Sequence, residues 1–202
     1  MKVRDAKTGA INSCQICNSK ILSEVINLGF SGLCDSLLRI DDLNKLEKSY
    51  PLRLYRCKKC QLLQLNYVVD NREVFHLDYP YKSGITKPLK DLLHSTGEYC
   101  KKNYNFQGKP LVIDIGSNDG TLLEGFKKLN FNVLGVEPTN IAKIANKKGI
   151  KTFQKFFDFS TAKIIKKKYG NADVITGTNI FAHVNKLDTF MRGVKILLNK
   201  KD

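Results

Sequence analysis

The chain has 202 residues, of which 42% are hydrophobic and 26% are charged. This composition is typical of a globular protein with one large core or two small ones. No apolar run approaches the ~20 residues that span a bilayer, and the N-terminal residues lack the apolar core of a signal peptide. We therefore expect a cytoplasmic protein with no membrane partner.

The net charge of +15 raises the question of a nucleic-acid partner, because clustered Lys and Arg neutralise phosphates. The lysine clusters at 147–148 and 166–168 fall at predicted helix ends or surfaces, and arginine, which reads bases bidentately, is scarce. The distribution therefore favours a solvated surface over a nucleic-acid interface. A basic surface would still attract an anionic substrate such as a nucleotide-linked molecule.

Two CxxC pairs are the first motif along the chain, and they comprise Cys14, Cys17, Cys57 and Cys60. Six cysteines in a chain expected to be cytoplasmic are more typical of metal ligation than of disulfides. Four thiolates complete a tetrahedral zinc and leave no open position, so the pairs predict a structural zinc, with a redox CxxC as the alternative. Cys34 and Cys100 lack partners at ligand spacing and are predicted to be small buried apolar residues.

Residues 10–75 are predicted to form a small module with a modest core, whose folding the metal would support. Within it, residues 26–32 have the composition of a loop or turn. Residues 50–55 alternate as a strand, and residues 61–69 have the pattern of a strand that leaves the second cysteine pair.

Residues 76–108 are predicted to be an aromatic, turn-rich linker followed by a connecting helix. The linker contains Tyr79 and Tyr81, and apolar residues at helical spacing cover residues 85–104. The two tyrosines either join the modules or face a substrate, and both interpretations stay open.

An apolar strand, an acidic glycine turn over residues 114–120 and a helix come next. In α/β proteins, this order places an adenosine-containing ligand against backbone. The dinucleotide fingerprint requires glycine where Asn118 and Thr121 stand, and Asp119 puts a carboxylate where a pyrophosphate would lie. A cationic ligand such as S-adenosylmethionine tolerates both Asp114 and Asp119, although Asp119 could also simply cap the helix.

The next predicted strand, residues 131–136, ends at Glu137. A carboxylate roughly 20 residues past the glycine turn is placed to accept both ribose hydroxyls. The alternative for Glu137 is a solvated loop acid.

Strands and helices continue to alternate, with predicted helices at 141–148, 160–169 and 187–198 and strands at 150–153 and 173–176. Residues 109–202 therefore predict a parallel, doubly wound sheet of about four strands. A sheet that ends on Val174 and Ile175 leaves an apolar edge. Either another segment covers this edge, or the chain is a fragment of something longer.

These motifs, followed by Asn179-Ile-Phe-Ala-His183, resemble the zinc-containing sugar C-methyltransferases of deoxysugar biosynthesis. The resemblance runs from about Cys14 to the last residue. It implies an α/β chain in which a small zinc-knuckle module precedes a partial class I methyltransferase sheet of Rossmann-like topology. It also implies methyl transfer from S-adenosylmethionine to a carbon next to a ketone, on a nucleotide-linked deoxysugar, through an enolate.

The resemblance assigns a role to each candidate residue. Zinc would be held by Cys14, Cys17, Cys57 and Cys60; the cofactor would be held by Asp114, Gly116, Asn118, Asp119, Gly120, Glu137 and Asn179; the sugar would be faced by His183, Tyr79 and Tyr81. A lone histidine is more often a surface or packing residue, so this alternative for His183 stays open.

Members of the family are about twice as long, and their further segment carries the principal base and the missing strands. We therefore expect an incomplete chain, either an inactive fragment or one part of a split enzyme that a companion chain completes. Two other functions stay open, namely a non-catalytic zinc-stabilised interaction or nucleic-acid-binding module and an O- or N-methyltransferase.

Overall fold

The computed structural model describes residues 3–199. They divide into two compact units, the first made of residues 3–76 and 185–189 and the second of residues 77–184 and 190–199. None of the helices in this described part of the chain has the length and apolar character needed to cross a membrane.

The first unit is built from short strands. They are β1 (Gly9–Ala10), β2 (Leu22–Ser31), β3 (Tyr50–Cys57), β4 (Leu63–Leu65) and β5 (Tyr67–Val68), followed by one helical turn, α1 (Asn71–Val74). Strands β2, β3 and β4 form an antiparallel sheet in that order, and β1 pairs with β5.

Two predictions for this unit are wrong in detail. Residues 26–32 were expected to be a loop, but β2 continues through them to Ser31. The register with β3 shifts twice, and Gly29 at φ 77° lets the strand continue through turn-forming residues. The strand expected over residues 61–69 is interrupted at Asn66, so that β4 pairs with β3 and β5 pairs with β1.

The first unit has very little buried apolar material. Over residues 3–76, the buried apolar side chains are Cys14, Cys57 and Val68. Cys34 is exposed, contrary to prediction, because it lies in an irregular segment after β2 that no strand or helix covers. A unit with so small a core needs stabilisation from another source.

The second unit alternates helices and strands. The elements are α2 (Lys87–Asn103), β6 (Leu111–Ile115), α3 (Thr121–Lys128), β7 (Asn132–Val136), α4 (Ile141–Lys147), β8 (Thr152–Phe153), α5 (Phe159–Tyr169) and β9 (Val174–Thr176). The last helix, α6 (Leu187–Leu197), belongs to this unit from Phe190 onward. The four strands are parallel in the order β8-β7-β6-β9. The predicted four-stranded parallel sheet is therefore confirmed, with β9 at one edge.

Each face of this sheet has its own core, because successive strand residues point to opposite sides. Val112 packs with Leu93 and Phe126 on the face covered by α2 and α3. Ile113 packs with Ile165 of α5 on the other face. The fold is therefore doubly wound. Cys100 is buried in the first core, as predicted.

Helices α2 and α3 cross at two glycines. A Cβ on Gly125 would lie 2.7 Å from the Cα of His94, and a Cβ on Gly97 would lie 3.3 Å from the backbone nitrogen of Phe126. The two helices can approach this closely only because both positions lack a side chain.

Candidate cofactor and zinc sites

The two cysteine pairs adopt the same local turn. The N–H of Asn18 donates to the carbonyl oxygen of Cys14, and the N–H of Gln61 donates to that of Cys57, each at 2.9 Å. Asn18 and Gln61 have φ of 60° and 64°, the left-handed conformation that closes each turn. Both pairs therefore present their two thiols from a tight knuckle.

The four sulfur atoms converge. The Cys14 and Cys60 Sγ atoms are 3.4 Å apart, the Cys17 and Cys57 Sγ atoms are 3.5 Å apart, and all four lie within 4.8 Å of one another. A tetrahedron with Zn–S bonds of about 2.3 Å has S–S edges of about 3.8 Å, whereas a disulfide requires about 2.05 Å. The arrangement fits one closed, structural zinc and does not fit disulfides.

Two further features prepare the cluster for a metal. A hydrogen bond from the N–H of Cys60 lowers the pKa of the Cys57 thiol to about 6, whereas burial and the hydrogen bonds with the other three thiols raise the pKa of Cys60 to about 12. Cys57 is therefore the thiol that most readily gives the thiolate that binds zinc. The buried side chain of Gln64, which we did not predict, accepts a hydrogen bond from the N–H of Gln15 at 3.0 Å. It also donates to the carbonyl oxygen of Ser13 at 3.2 Å, so it ties β4 to the first knuckle.

The glycine turn lies between β6 and α3, as predicted. The N–H groups of Gly116 and Ser117 donate to the carbonyl oxygen of Val136, at 2.8 and 3.2 Å, so the turn folds over the end of β7. Gly116 and Gly120 have φ of 71° and 80°, and a Cβ on Gly120 would lie 3.1 Å from the Cβ of Ile150. Both backbone geometry and packing therefore favour glycine at Gly120.

Two buried carboxylates meet at this edge of the sheet. Asp114 is the last residue but one of β6 and accepts a hydrogen bond from the hydroxyl of Thr176, on β9, at 2.7 Å. Its burial raises its pKa to about 7. Glu137 follows β7 and is also buried, so it is not a solvated loop acid. Its Oε2 accepts from the N–H of Asn118 at 3.0 Å, and its Oε1 accepts from the hydroxyl of Thr139 at 2.7 Å.

Asp119 lies just before α3, but Gly120 and not Asp119 is the N-cap residue of this helix. The Oδ1 of Asp119 accepts from the hydroxyl of Thr121 at 2.7 Å, and its Oδ2 lies 3.2 Å from the Nζ of Lys148. Burial acts to raise the pKa of Asp119, but the hydrogen bonds from Thr121 and Lys148 outweigh burial and lower it. Asp119 is thus held as a carboxylate beside the first residue of α3, and its contact with a cofactor stays a prediction.

The segment after β9 carries Asn179 and His183, and both side chains are exposed. Asn179 has φ 55°, and a short 3-10 turn covers Phe181–His183. Ile180 attaches this segment to the glycine turn, since a Cβ on Gly116 would lie 3.0 Å from its Cδ1 atom. Sequence reasoning missed Ile180, because an isolated apolar residue in a loop has no periodicity to mark it.

The linker also reaches the glycine turn. The N–H of Ser83 donates to the Oδ1 of Asn118 at 2.8 Å, and the Nδ2 of Asn118 donates to the carbonyl oxygen of Tyr81 at 3.0 Å. The structure therefore brings Tyr81 next to the turn, with Tyr79 two residues away in the same linker. The roles predicted for Tyr79, Tyr81, Asn179 and His183 in a reaction stay predictions.

Comparisons with known proteins agree with this geometry. Residues 14–75 match the model of a family, Methyltransf_13, described as "Putative zinc binding domain". This range contains all four clustered cysteines, so the cluster is a zinc-binding site.

The chain is 28% identical over 189 residues to the C-methyltransferase NovU of Streptomyces niveus, which covers 93% of this chain and 45% of NovU. It therefore spans less than half the length of this curated relative.

Two solved structures are similar to parts of this chain. The plantazolicin methyltransferase BpumL, in complex with a triazolic desmethylPZN analog and SAH, is 18% identical over 56% of this chain and 44% of its own, with a TM-score of 0.45. TehB from Haemophilus influenzae is 15% identical over 96% of this chain and 65% of its own, with a TM-score of 0.41. The domain match and the similarity to NovU support a relationship of this chain to the zinc-containing C-methyltransferase family.

Proposed function

We propose that this chain binds S-adenosylmethionine at the carboxyl ends of β6 and β7 and that it functions in methyl transfer. The observation that carries the proposal is the 3.0 Å hydrogen bond from the N–H of Asn118, in the glycine turn, to the Oε2 of Glu137. It joins the two motifs that a nucleoside ligand requires, at the sheet edge where doubly wound folds bind ligands.

The charges at this edge support a cationic ligand. Asp114 and Glu137 are both buried there, and the charge of Asp119 is already matched by Lys148. A pyrophosphate next to two buried carboxylates would be repelled, whereas the ammonium and sulfonium groups of S-adenosylmethionine would be attracted. Binding of such a cation would also favour the ionised form of Asp114.

When bound, S-adenosylmethionine supplies an electrophilic methyl group on its sulfonium. In the proposed reaction a base removes the proton from a sugar carbon next to a ketone. The resulting enolate carbon would be the acceptor of this methyl group. His183, Tyr79 and Tyr81 are our candidates for the groups that face the sugar and act beside the principal base. Asp114, Gly116, Asn118, Gly120 and Asn179 would shape the cofactor end.

We propose a nucleotide-linked keto-deoxysugar as the methyl acceptor, on two grounds. The similarity to NovU, a C-methyltransferase, favours a carbon acceptor. The net charge of +15 favours an anionic substrate.

Isothermal titration with S-adenosylhomocysteine tests the cofactor site. The Glu137→Gln variant removes the charge that would accept the ribose hydroxyls, and we expect its affinity to fall by roughly tenfold or more, because a charged hydrogen bond is worth about 1.5–3 kcal/mol. Glu98→Gln, on the exposed surface of α2, removes the same charge away from the site and should bind like the wild type. Wild-type affinity in Glu137→Gln would remove the ribose assignment.

A further inference from the structure

A short segment of the linker, residues 77–84, passes over the carboxyl ends of β6 and β7. We call this segment the strap. The N–H of Asn140, after β7, donates to the carbonyl oxygen of Leu77 at 3.0 Å. Asn118, after β6, bonds to Ser83 and Tyr81. The strap is therefore attached beside both strands that carry the proposed cofactor residues.

Asn118 attaches the strap to the glycine turn, and both the oxygen and the nitrogen of its side-chain amide form hydrogen bonds. Its Oδ1 accepts from the N–H of Ser83 and from the N–H of Asp119, at 2.8 and 2.9 Å, and its Nδ2 donates to the carbonyl oxygen of Tyr81 at 3.0 Å. The residue is buried and adopts φ 50°, a conformation that asparagine tolerates better than most residues. Its side chain thus replaces backbone pairing between two segments that lack regular structure.

The strap approaches the turn very closely at its other end. A Cβ on Gly84 would lie 2.6 Å from the hydroxyl oxygen of Thr121 and 2.7 Å from the Oδ2 of Asp119. Such contact leaves no room for the strap to move toward the turn. A shift of Asn118 would therefore displace the strap along or away from the turn.

The backbone of Asn118 is also bonded to Glu137, through the 3.0 Å contact from its N–H to the Oε2 atom. A carboxylate oxygen has two lone pairs, so this Oε2 can accept from a ligand hydroxyl while it still accepts from the N–H of Asn118, and the two donors then share one atom. Because the amide of the same residue holds Ser83 and Tyr81, any adjustment at Glu137 reaches the strap through a single residue.

We infer that Asn118 is a positioning residue that couples occupancy of the ribose carboxylate, Glu137, to the strap that carries Tyr79 and Tyr81. This inference rests on the proposed function, since it takes Glu137 as the site of a nucleoside hydroxyl. Asn118 thereby sets the tyrosines in place when the cofactor is bound, through the contacts of its side chain with the strap.

Hydrogen exchange measured by mass spectrometry tests this role, on the zinc-loaded chain with and without saturating S-adenosylhomocysteine. Asn118→Gly keeps the left-handed backbone and removes the amide. Asn130→Gly is the matched control, because Asn130 also has positive φ, at 69°, and is exposed at the end of α3. The readout is the exchange rate of peptides covering residues 77–86.

In the wild type and in Asn130→Gly, we expect slow exchange in the strap that changes further when S-adenosylhomocysteine binds. In Asn118→Gly, we expect strap exchange at least tenfold faster without ligand, and no further change with ligand. An Asn118→Gly variant that exchanges like the wild type, or that keeps the same ligand response, would overturn the inference while leaving the proposed function intact. Absence of S-adenosylhomocysteine binding to the wild type would overturn the proposed function, and the coupling with it.

Discussion

Replacing Asp114 by Asn should make the stability of the protein less dependent on pH. Asp114 is buried at the end of β6, and burial raises its pKa to about 7. In the unfolded chain the same carboxyl titrates near 3.9. Between these values the folded chain keeps a proton that the unfolded chain has released, so the free energy of unfolding falls as the pH rises from about 4 to about 7.

The size of the effect follows from the two pKa values. A difference of roughly three units corresponds to about 4 kcal/mol when the carboxylate is fully ionised, and about 2.5 kcal/mol of this develops between pH 5 and pH 8. Asn keeps an oxygen that can accept the hydrogen bond from Thr176 and carries no charge at any pH. The stability of Asp114→Asn relative to the wild type should therefore increase by about 2 kcal/mol over this range.

Urea unfolding followed by far-ultraviolet circular dichroism, on zinc-loaded protein at several pH values from 5 to 8, measures this difference. Comparison at each pH cancels the protonation of the zinc thiolates, which is common to both proteins. Asp91→Asn, at an exposed position of α2, is the control and should show the pH dependence of the wild type. Parallel curves for Asp114→Asn and the wild type would refute the reasoning.

Two further changes test the packing of each unit. Removing zinc with a chelator should abolish the protection of backbone amides from hydrogen exchange in β2, β3 and β4 but not in β6 and β7. The reason is that the first unit has almost no apolar core over residues 3–76, where the buried apolar side chains are Cys14, Cys57 and Val68. Retained protection in β3 after zinc removal would contradict the role of the metal. Gly125→Ala should lower the stability of the second unit by roughly 1–2 kcal/mol in urea unfolding, because its Cβ would lie 2.7 Å from the Cα of His94. Gly97→Ala, whose Cβ contacts begin at 3.2 Å, should cost less, and the opposite order would show that the helix crossing is not the cause.

Chemical labelling of the Cys34 and Cys100 thiols tests how deeply each of these two cysteines outside the zinc cluster is buried. Cys34 is exposed and should react with a maleimide in the folded, zinc-loaded chain, whereas Cys100 lies in the core, where burial raises its pKa, and should react only after unfolding. Mass spectrometry of tryptic peptides measures both, and equal reaction rates would contradict the packing of α2.

The second unit was predictable because its signals are local. Strand β6, the glycine turn and α3 each have a pattern within a few residues, and the alternation of strands with helices indicates a parallel sheet. The zinc cluster was predictable for a similar reason. Each CxxC pair is a local motif that forms its own knuckle, and two such pairs supply the four thiolates of a tetrahedral zinc site.

The errors and omissions come from contacts between distant residues. Asn27 and Gly29 favour a turn locally, and only pairing with β3 extends β2 through them. The partners of the Asn118 side chain, Tyr81 and Ser83, lie 37 and 35 positions earlier in the chain. No local pattern indicates such a partner, so the strap was visible only in the structure.

The glycine turn is proposed to bind S-adenosylmethionine and not a dinucleotide. Titration of S-adenosylhomocysteine and of NAD into the zinc-loaded wild-type chain tests this most directly. Calorimetry should show saturable binding of S-adenosylhomocysteine with one site per chain, and no binding of NAD under the same conditions. Binding of NAD without binding of S-adenosylhomocysteine would contradict the account, because a pyrophosphate would then lie beside the carboxylates of Asp114 and Glu137.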